Sequence, residues 1–160
     1  MSKNHTRRLR MESLENRQLM AGMVTALVDS TGGLLLQGDQ SANHVLLMPG
    51  ANPGDIVIYG NRTGSPTTGD TAIRLGNGAP AYSQIVHKVK SITANMGGGV
   101  DSLSVGRLGS ALNVTGSVVV NLGNGGDRLT MDANIGGLTV NGGNGGDQIT
   151  IENSTITKSV

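Results

Sequence analysis

Three segments of the chain share one pattern: an apolar strand, a glycine-rich loop that ends in aspartate, and a second short strand. They cover residues 92–105, 118–131 and 138–151 and align without gaps. Their aspartates are Asp101, Asp127 and Asp147, spaced by 26 and 20 residues. A unit this short cannot bury its apolar face alone, whereas stacked units cover one another. The repeat therefore predicts layers of β-structure that turn at glycine corners.

Alternating hydrophobicity indicates strands on both sides of each loop. In the second repeat Val118, Val120 and Leu122 precede the loop at every other position, as in a strand with one buried face. We therefore expect an all-β fold, a parallel β-solenoid of the β-helix or β-roll type over residues 85–160. Residues 23–84 are expected to form an irregular β region that supplies its first turns, and Ile85–Ile92 is expected to form one longer strand.

The rest of the chain is also typical of short strands. Apolar runs separated by Gly, Pro, Asn and Asp cover residues 34–36, 45–47, 56–59 and 72–75. The chain has 26 glycines but no Phe, Trp or Cys, so its core must consist of small aliphatic side chains. The absence of Cys excludes disulfides and thiolate metal sites.

Charge is unevenly distributed along the chain. Residues 1–20 carry five basic and two acidic side chains, which leaves seven basic and nine acidic side chains in the remainder. This mildly acidic body lacks the basic patch of a nucleic-acid-binding protein, so we expect no nucleic-acid partner. No apolar stretch approaches the length of a membrane span.

The N-terminal residues 1–22 differ from the rest because they are charged and poor in glycine, which predicts a short disordered or helical tail. Residues 8–21 resemble the LEPRxLL-type motif found near the start of planctomycete-type extracellular proteins. The matching residues are Leu14, Glu15, Arg17 and Leu19. Asn16 stands in place of the usual Pro, and Met20 in place of a Leu. The resemblance implies an export-associated tail and an extracellular or cell-surface location.

The glycine–aspartate loops resemble the calcium-binding repeats of RTX or hemolysin-type proteins. Residues 142–150 fit the nonapeptide G-G-x-G-x-D-x-U-x at every defined position, and the two earlier loops depart only at the first glycine. The resemblance implies Ca²⁺ bound between stacked loops, with at most two such positions. The implied ligand loops contain Asp101, Asp127, Asp147, Gly98, Gly123, Gly125, Gly143 and Gly145.

Two interpretations of these aspartates remain open. Ca²⁺ prefers six to eight oxygen ligands, and glycine corners expose carbonyl oxygens that could supply several of them. However, each loop carries one carboxylate, and only one such loop occurs in each turn. The alternative is that each Asp hydrogen-bonds backbone N–H groups of its own loop, as Asp commonly does in turns. Asn95, Asn121 and Asn141 share a register six residues before each Asp, which predicts an asparagine ladder.

These features favour a structural or adhesive module rather than an enzyme. The alternative is a polysaccharide-active, lyase-like enzyme, which would need carboxylates beside a basic residue such as Arg107 or Arg128. No Trp or Phe is available to stack against sugars. The C-terminal edge of the repeats shows no polar cap, which leaves three interpretations: a short paralogue, a truncated reading frame, or self-association through this edge.

Overall fold

The computed structural model describes residues 22–61, 64 and 70–158, so the tail expected over residues 1–22 lies outside this part except for Gly22. The described residues form strands and turns and contain no helix. The strands are β1 (Met23–Val28), β2 (Gly33–Gln37), β3 (His44–Pro49), β4 (Ile56–Tyr59), β5 (Ala72–Leu75), β6 (Ser83–Val86), β7 (Ser91–Asn95), β8 (Ser102–Val105), β9 (Leu112–Asn124), β10 (Arg128–Met131), β11 (Ala133–Asn144), β12 (Gln148–Ile151) and β13 (Thr155–Ile156).

The strands build two sheets. The first has seven strands in the order β13-β11-β9-β7-β2-β1-β5, and the second has six in the order β12-β10-β8-β3-β4-β6. Each repeat gives one strand to each sheet, and its glycine loop joins them. Corresponding strands of successive repeats pair in parallel, for example β7 with β9 and β8 with β10. The expected all-β class is thus confirmed.

The prediction of a parallel β-solenoid is wrong. Three pairs of strands in the first half are antiparallel, namely β1 with β2, β3 with β4, and β4 with β6. Both sheets are therefore mixed, though mostly parallel, and the chain does not form a closed solenoid. One cause is the tight turn after β1, where the Asp29 carboxylate accepts N–H groups of Thr31 and Gly33 and reverses the chain.

The single long strand expected over Ile85–Ile92 is also absent. β6 ends at Val86 and β7 begins at Ser91. Between them Lys88 has a φ of 58°, in the left-handed region that non-glycine residues seldom occupy. Val86 and Val89 are both buried although they are three positions apart, whereas one continuous strand would place them on opposite faces.

The core is made of aliphatic side chains that face each other between the two sheets. Residues in register on successive strands, such as Leu103 and Leu129, are fully buried. The layers are thin because no large ring is present, so each layer depends on its neighbours for burial. No helix in the described residues has the length and apolarity needed to span a membrane.

Candidate functional site

The structure brings the three predicted aspartates into one row. β8, β10 and β12 each begin directly after an aspartate, and their parallel register aligns Asp101, Asp127 and Asp147. Oδ1 of Asp127 accepts the backbone N–H of Asp101 over 2.7 Å, and Oδ1 of Asp147 accepts that of Asp127 over 3.1 Å. These hydrogen bonds cross from one layer to the next, so the carboxylates hold successive loops together. We call this row, with Asn43, the aspartate ladder.

Asn43 is the first member of the ladder, and the sequence analysis missed it. His44 pairs with Ser102, which places Asn43 opposite Asp101. Oδ1 of Asp101 accepts the Asn43 N–H over 2.7 Å, while Asn43 Nδ2 donates to the carbonyl of Ser41 over 2.8 Å. The only signal in the sequence was a turn-forming residue two positions before the apolar run 45–47.

The second carboxylate oxygens of the ladder are unusual. Oδ2 of Asp101 and Oδ2 of Asp127 are buried and have no hydrogen-bond partner among the described residues. The two residues are 1% and 2% exposed. Burial raises the pKa of Asp101 to about 6; the N–H of Asn43 opposes this shift and the charge of Asp127 adds to it. A proton or a cation would satisfy these buried oxygens.

The predicted loop glycines are required by close stacking. Gly123, Gly125, Gly143 and Gly145 all have positive φ. A Cβ on Gly123 or Gly143 would overlap the carbonyl oxygen of the glycine one layer below, and the same holds for Gly125 and Gly145. Gly98 forms a bridge with Asn124 of the next loop. The glycines thus let loops approach to backbone contact.

Direct hydrogen bonds occupy much of the space between loops. The N–H of Gly99 donates to the Asn124 carbonyl over 3.0 Å, and the N–H of Gly125 donates to the Asn144 carbonyl over 2.8 Å. Nδ2 of Asn144 also donates to Oδ1 of Asn124 over 2.8 Å. These two carbonyls are therefore already engaged in holding the loops together.

The carboxylates of the aspartate ladder have the charge that a cation requires, but they are too few to complete its coordination shell. Each pair of adjacent loops offers two carboxylates, and the described residues contain no group of three or more His, Cys, Asp or Glu side chains placed to hold a metal. Ca²⁺ would need most of its six to eight oxygens from loop carbonyls or water. The arrangement suits weak binding at most.

A second ladder of amides runs along the first sheet. Nδ2 of Asn121 donates to Oδ1 of Asn95 over 2.8 Å, and Nδ2 of Asn95 donates to Oε1 of Gln37 over 3.3 Å. Asn141 lies opposite Asn121 in the strand register. Two of the three predicted asparagines thus bond to each other, and Gln37 extends the row by one layer.

The residues considered for catalysis do not converge. Arg107 and Arg128 are exposed, and neither is a lining residue of four prominent cavities on the described surface. Nδ1 of His87 lies 2.9 Å from Oδ1 of Asp55, a pair that the sequence did not indicate. Hydrogen bonds from Asn52 and His87 lower the pKa of Asp55. His87 is 66% exposed, so this pair lies at the surface.

The comparisons with known proteins concern the N-terminus. Residues 5–24 match the model of a family described as Planctomycete extracellular. This match includes the segment with the LEPRxLL-like motif and supports an extracellular location, although it covers only a short part of the chain. Neither the curated proteins nor the solved structures contain a match.

Proposed function

We propose that this chain is an extracellular or cell-surface module with a structural or adhesive role, and that it is not an enzyme. The match over residues 5–24 supports the location. The aspartate ladder is the observation that supports this role. Its carboxylates accept hydrogen bonds from the backbone N–H groups of neighbouring layers. Acidic groups used in this way stabilise a stack and are poorly available for catalysis.

Weak calcium stabilisation is part of the proposal. The pairs Asp101–Asp127 and Asp127–Asp147 each place two carboxylates in adjacent loops. Within the part of the chain that the structure describes, Oδ2 of Asp101 and of Asp127 have no hydrogen-bond partner. A divalent cation would relieve the repulsion between these charges. Because carbonyls or water must complete the shell, we expect affinity in the millimolar range, as in other extracellular modules.

Self-association through the last layer of the described stack is a second part of the proposal. Ile149, Ile151 and Ile156 are 46%, 44% and 44% exposed. Their register partners in the preceding layer, Leu129, Met131 and Ile135, are buried. A second copy placed on this face would cover the three isoleucines and pair the free edge of β12.

Two measurements test the proposal. Protease digestion of intact producing cells should remove the protein if it lies at the surface, whereas an intracellular marker should survive. For the purified chain, sedimentation velocity should show a concentration-dependent dimer that Ile149→Lys abolishes. Leu108→Lys, at a more exposed apolar position outside this face, serves as the control. Full protection in intact cells would refute the location, and a monomer at all concentrations would refute self-association.

Calcium is tested separately by thermal melting followed by circular dichroism. Ca²⁺ added at on the order of 10 mM, which is tenfold above the expected dissociation constant, should raise the midpoint of thermal melting. Asp127→Asn should abolish this rise. Mg²⁺ at the same concentration controls for ionic strength. An unchanged midpoint would remove calcium from the proposal and leave the ladder intact.

A further inference from the structure

Three cavities adjoin along one edge of the molecule. The largest, of about 540 Å³, is lined in part by Lys88, Lys90, Asn113 and Thr115. A second, of about 240 Å³, shares Asn113 and Thr115 with it, and a third, of about 210 Å³, shares Lys88 and Lys90. Because neighbouring cavities share their lining residues, they form one elongated depression, which we call the lysine groove.

The lysines of the groove lie on a firmly held backbone. Val89 between them is 4% exposed, and its N–H donates to the Gly54 carbonyl over 2.8 Å. The Lys90 N–H donates to the Gly32 carbonyl over 2.7 Å, and the Lys90 carbonyl accepts the Gly116 N–H over 2.7 Å. Both lysine side chains are exposed and therefore project from a fixed base.

Lys88 holds a backbone conformation that its side chain disfavours. Its φ of 58° is one of only two positive values among the described non-glycine residues. Glycine or asparagine would adopt this conformation more readily, so a lysine here carries strain. Strained residues concentrate at functional sites, which points to a use for this ammonium.

The groove is positively charged on an acidic body. The described residues include six Lys or Arg side chains against nine Asp or Glu. Two of those six line the largest cavity, and no acidic side chain does. Asp29 lines the third cavity, where hydrogen bonds from Thr31 and Gly33 keep its carboxylate anionic, so the three cavities together carry two lysines against one carboxylate. Within the described residues neither lysine forms an ion pair.

The other end of the groove is uncharged, and its lining combines apolar groups with side-chain amides and hydroxyls. Asn113 on β9 and Asn134 on β11 are linked, with Nδ2 of Asn134 donating to Oδ1 of Asn113 over 2.9 Å. Thr115 and Thr157 line the same cavity. Neighbouring strands lie about 4.8 Å apart, a spacing comparable to the length of a sugar ring. Amides and hydroxyls at this repeat suit the hydroxyl groups of a saccharide chain.

We propose that the lysine groove binds an acidic polysaccharide, whose carboxylate or sulfate groups contact Lys88 and Lys90. The elongated shape favours a polymer over a compact ligand, and the lack of a tyrosine among the lining residues disfavours the base stacking that single-stranded nucleic acids use. This site gives the adhesive role proposed above a specific class of ligand. It rests on that proposal, because the chain would meet such polymers outside the cell.

Isothermal titration of the purified chain tests the site with oligosaccharides of equal length. The probes are a galacturonate hexamer, a sulfated galactose hexamer and a neutral glucose hexamer. We expect binding of at least one acidic hexamer, weakened as NaCl is raised from 50 to 300 mM, and no measurable binding of the neutral one. The preferred acidic hexamer identifies carboxylate or sulfate as the recognised group.

Variants assign the binding to the groove. Lys90→Gln and Lys88→Gly should each weaken binding by about fivefold or more, and Lys90→Arg should retain it. Arg107→Gln removes one positive charge away from the groove and serves as the control. Circular dichroism melting checks that each variant is folded.

The proposal is overturned if neither acidic hexamer binds, if the neutral hexamer binds equally, or if Arg107→Gln weakens binding as much as Lys90→Gln. Tighter binding of an oligothymidylate of equal charge would also overturn it in favour of a nucleic acid. These failures are distinct from failure of the proposed location, which the protease digestion of intact cells measures independently.

Discussion

Oδ1 of Asp127 accepts the backbone N–H of Asp101 over 2.7 Å, and this hydrogen bond joins two layers of the stack. Both residues are almost fully buried, so water cannot replace the bond if it is lost. The same relationship recurs between Asp147 and Asp127 and between Asp101 and Asn43. The repeated aspartate is therefore best explained as a link between layers.

Removal of the central carboxylate should destabilise the protein. Asp127→Ala leaves the buried N–H of Asp101 without an acceptor, which we expect to lower the free energy of unfolding by about 1–3 kcal/mol in urea denaturation. Asp127→Asn keeps an acceptor oxygen and should lose less than half as much. Equal losses for the two variants would show that charge, rather than the hydrogen bond, matters at this position.

Stability should depend on pH through Asp101. Its pKa is about 6 in the folded protein against 3.8 for a free Asp, so the folded state binds the proton more tightly. This contribution is fully present below pH 3.8 and is lost as the pH rises through about 6. After discounting for solvent screening it is on the order of 1–2 kcal/mol.

Asp101→Asn provides the comparison for this pH effect. As the pH is raised from 4 to 7, the free energy of unfolding of the natural protein should fall steadily relative to that of the variant. Groups with lowered pKa, such as Asp29 and Asp55, act in the opposite direction but cancel because both proteins contain them. A difference that stays constant across this range would contradict the raised pKa of Asp101.

Close stacking of the loops should make individual glycines irreplaceable. Gly123 has a φ of 106°, and a Cβ there would overlap the carbonyl oxygen of Gly97. We expect Gly123→Ala to lower the free energy of unfolding by about 2–4 kcal/mol in chemical denaturation. Gly126 is the matched control, since its nearest contact would be a carbonyl oxygen at 3.5 Å. A similar loss for Gly126→Ala would argue against this explanation.

The sequence predicted the repeats well and their surroundings poorly. Alternation and the aspartate spacing located the paired strands and aligned Asp101, Asp127 and Asp147, because these features recur in each layer. The antiparallel pairs of the first half depend on local turns, such as the one at Asp29, that alternation does not encode. The role of Asn43 depends on contacts with residues distant in the sequence, so no local pattern revealed it. The break at Lys88 left only one local trace, the odd spacing of Val86 and Val89.

Relief of strain at Lys88 should stabilise the protein. Lys88→Gly removes the side chain from a left-handed conformation that costs about 1–2 kcal/mol, and the greater freedom of unfolded glycine offsets part of this gain. We expect a net increase of about 0.5–1 kcal/mol in the free energy of unfolding. Lys90 does not have positive φ, so Lys90→Gly should lose about 0.5–1 kcal/mol instead. If Lys88→Gly and Lys90→Gly change the free energy of unfolding in the same direction, Lys88 is not strained.

Amide hydrogen exchange at Asp101, followed by nuclear magnetic resonance, tests the aspartate ladder most directly. The account predicts that this N–H is strongly protected in the natural protein and in Asp127→Asn. In Asp127→Ala it should exchange at least about tenfold faster, beyond any change at amides such as Leu103 in the adjacent core strand. If Asp101 exchanges at the same rate in all three proteins relative to Leu103, the carboxylate of Asp127 does not link the layers.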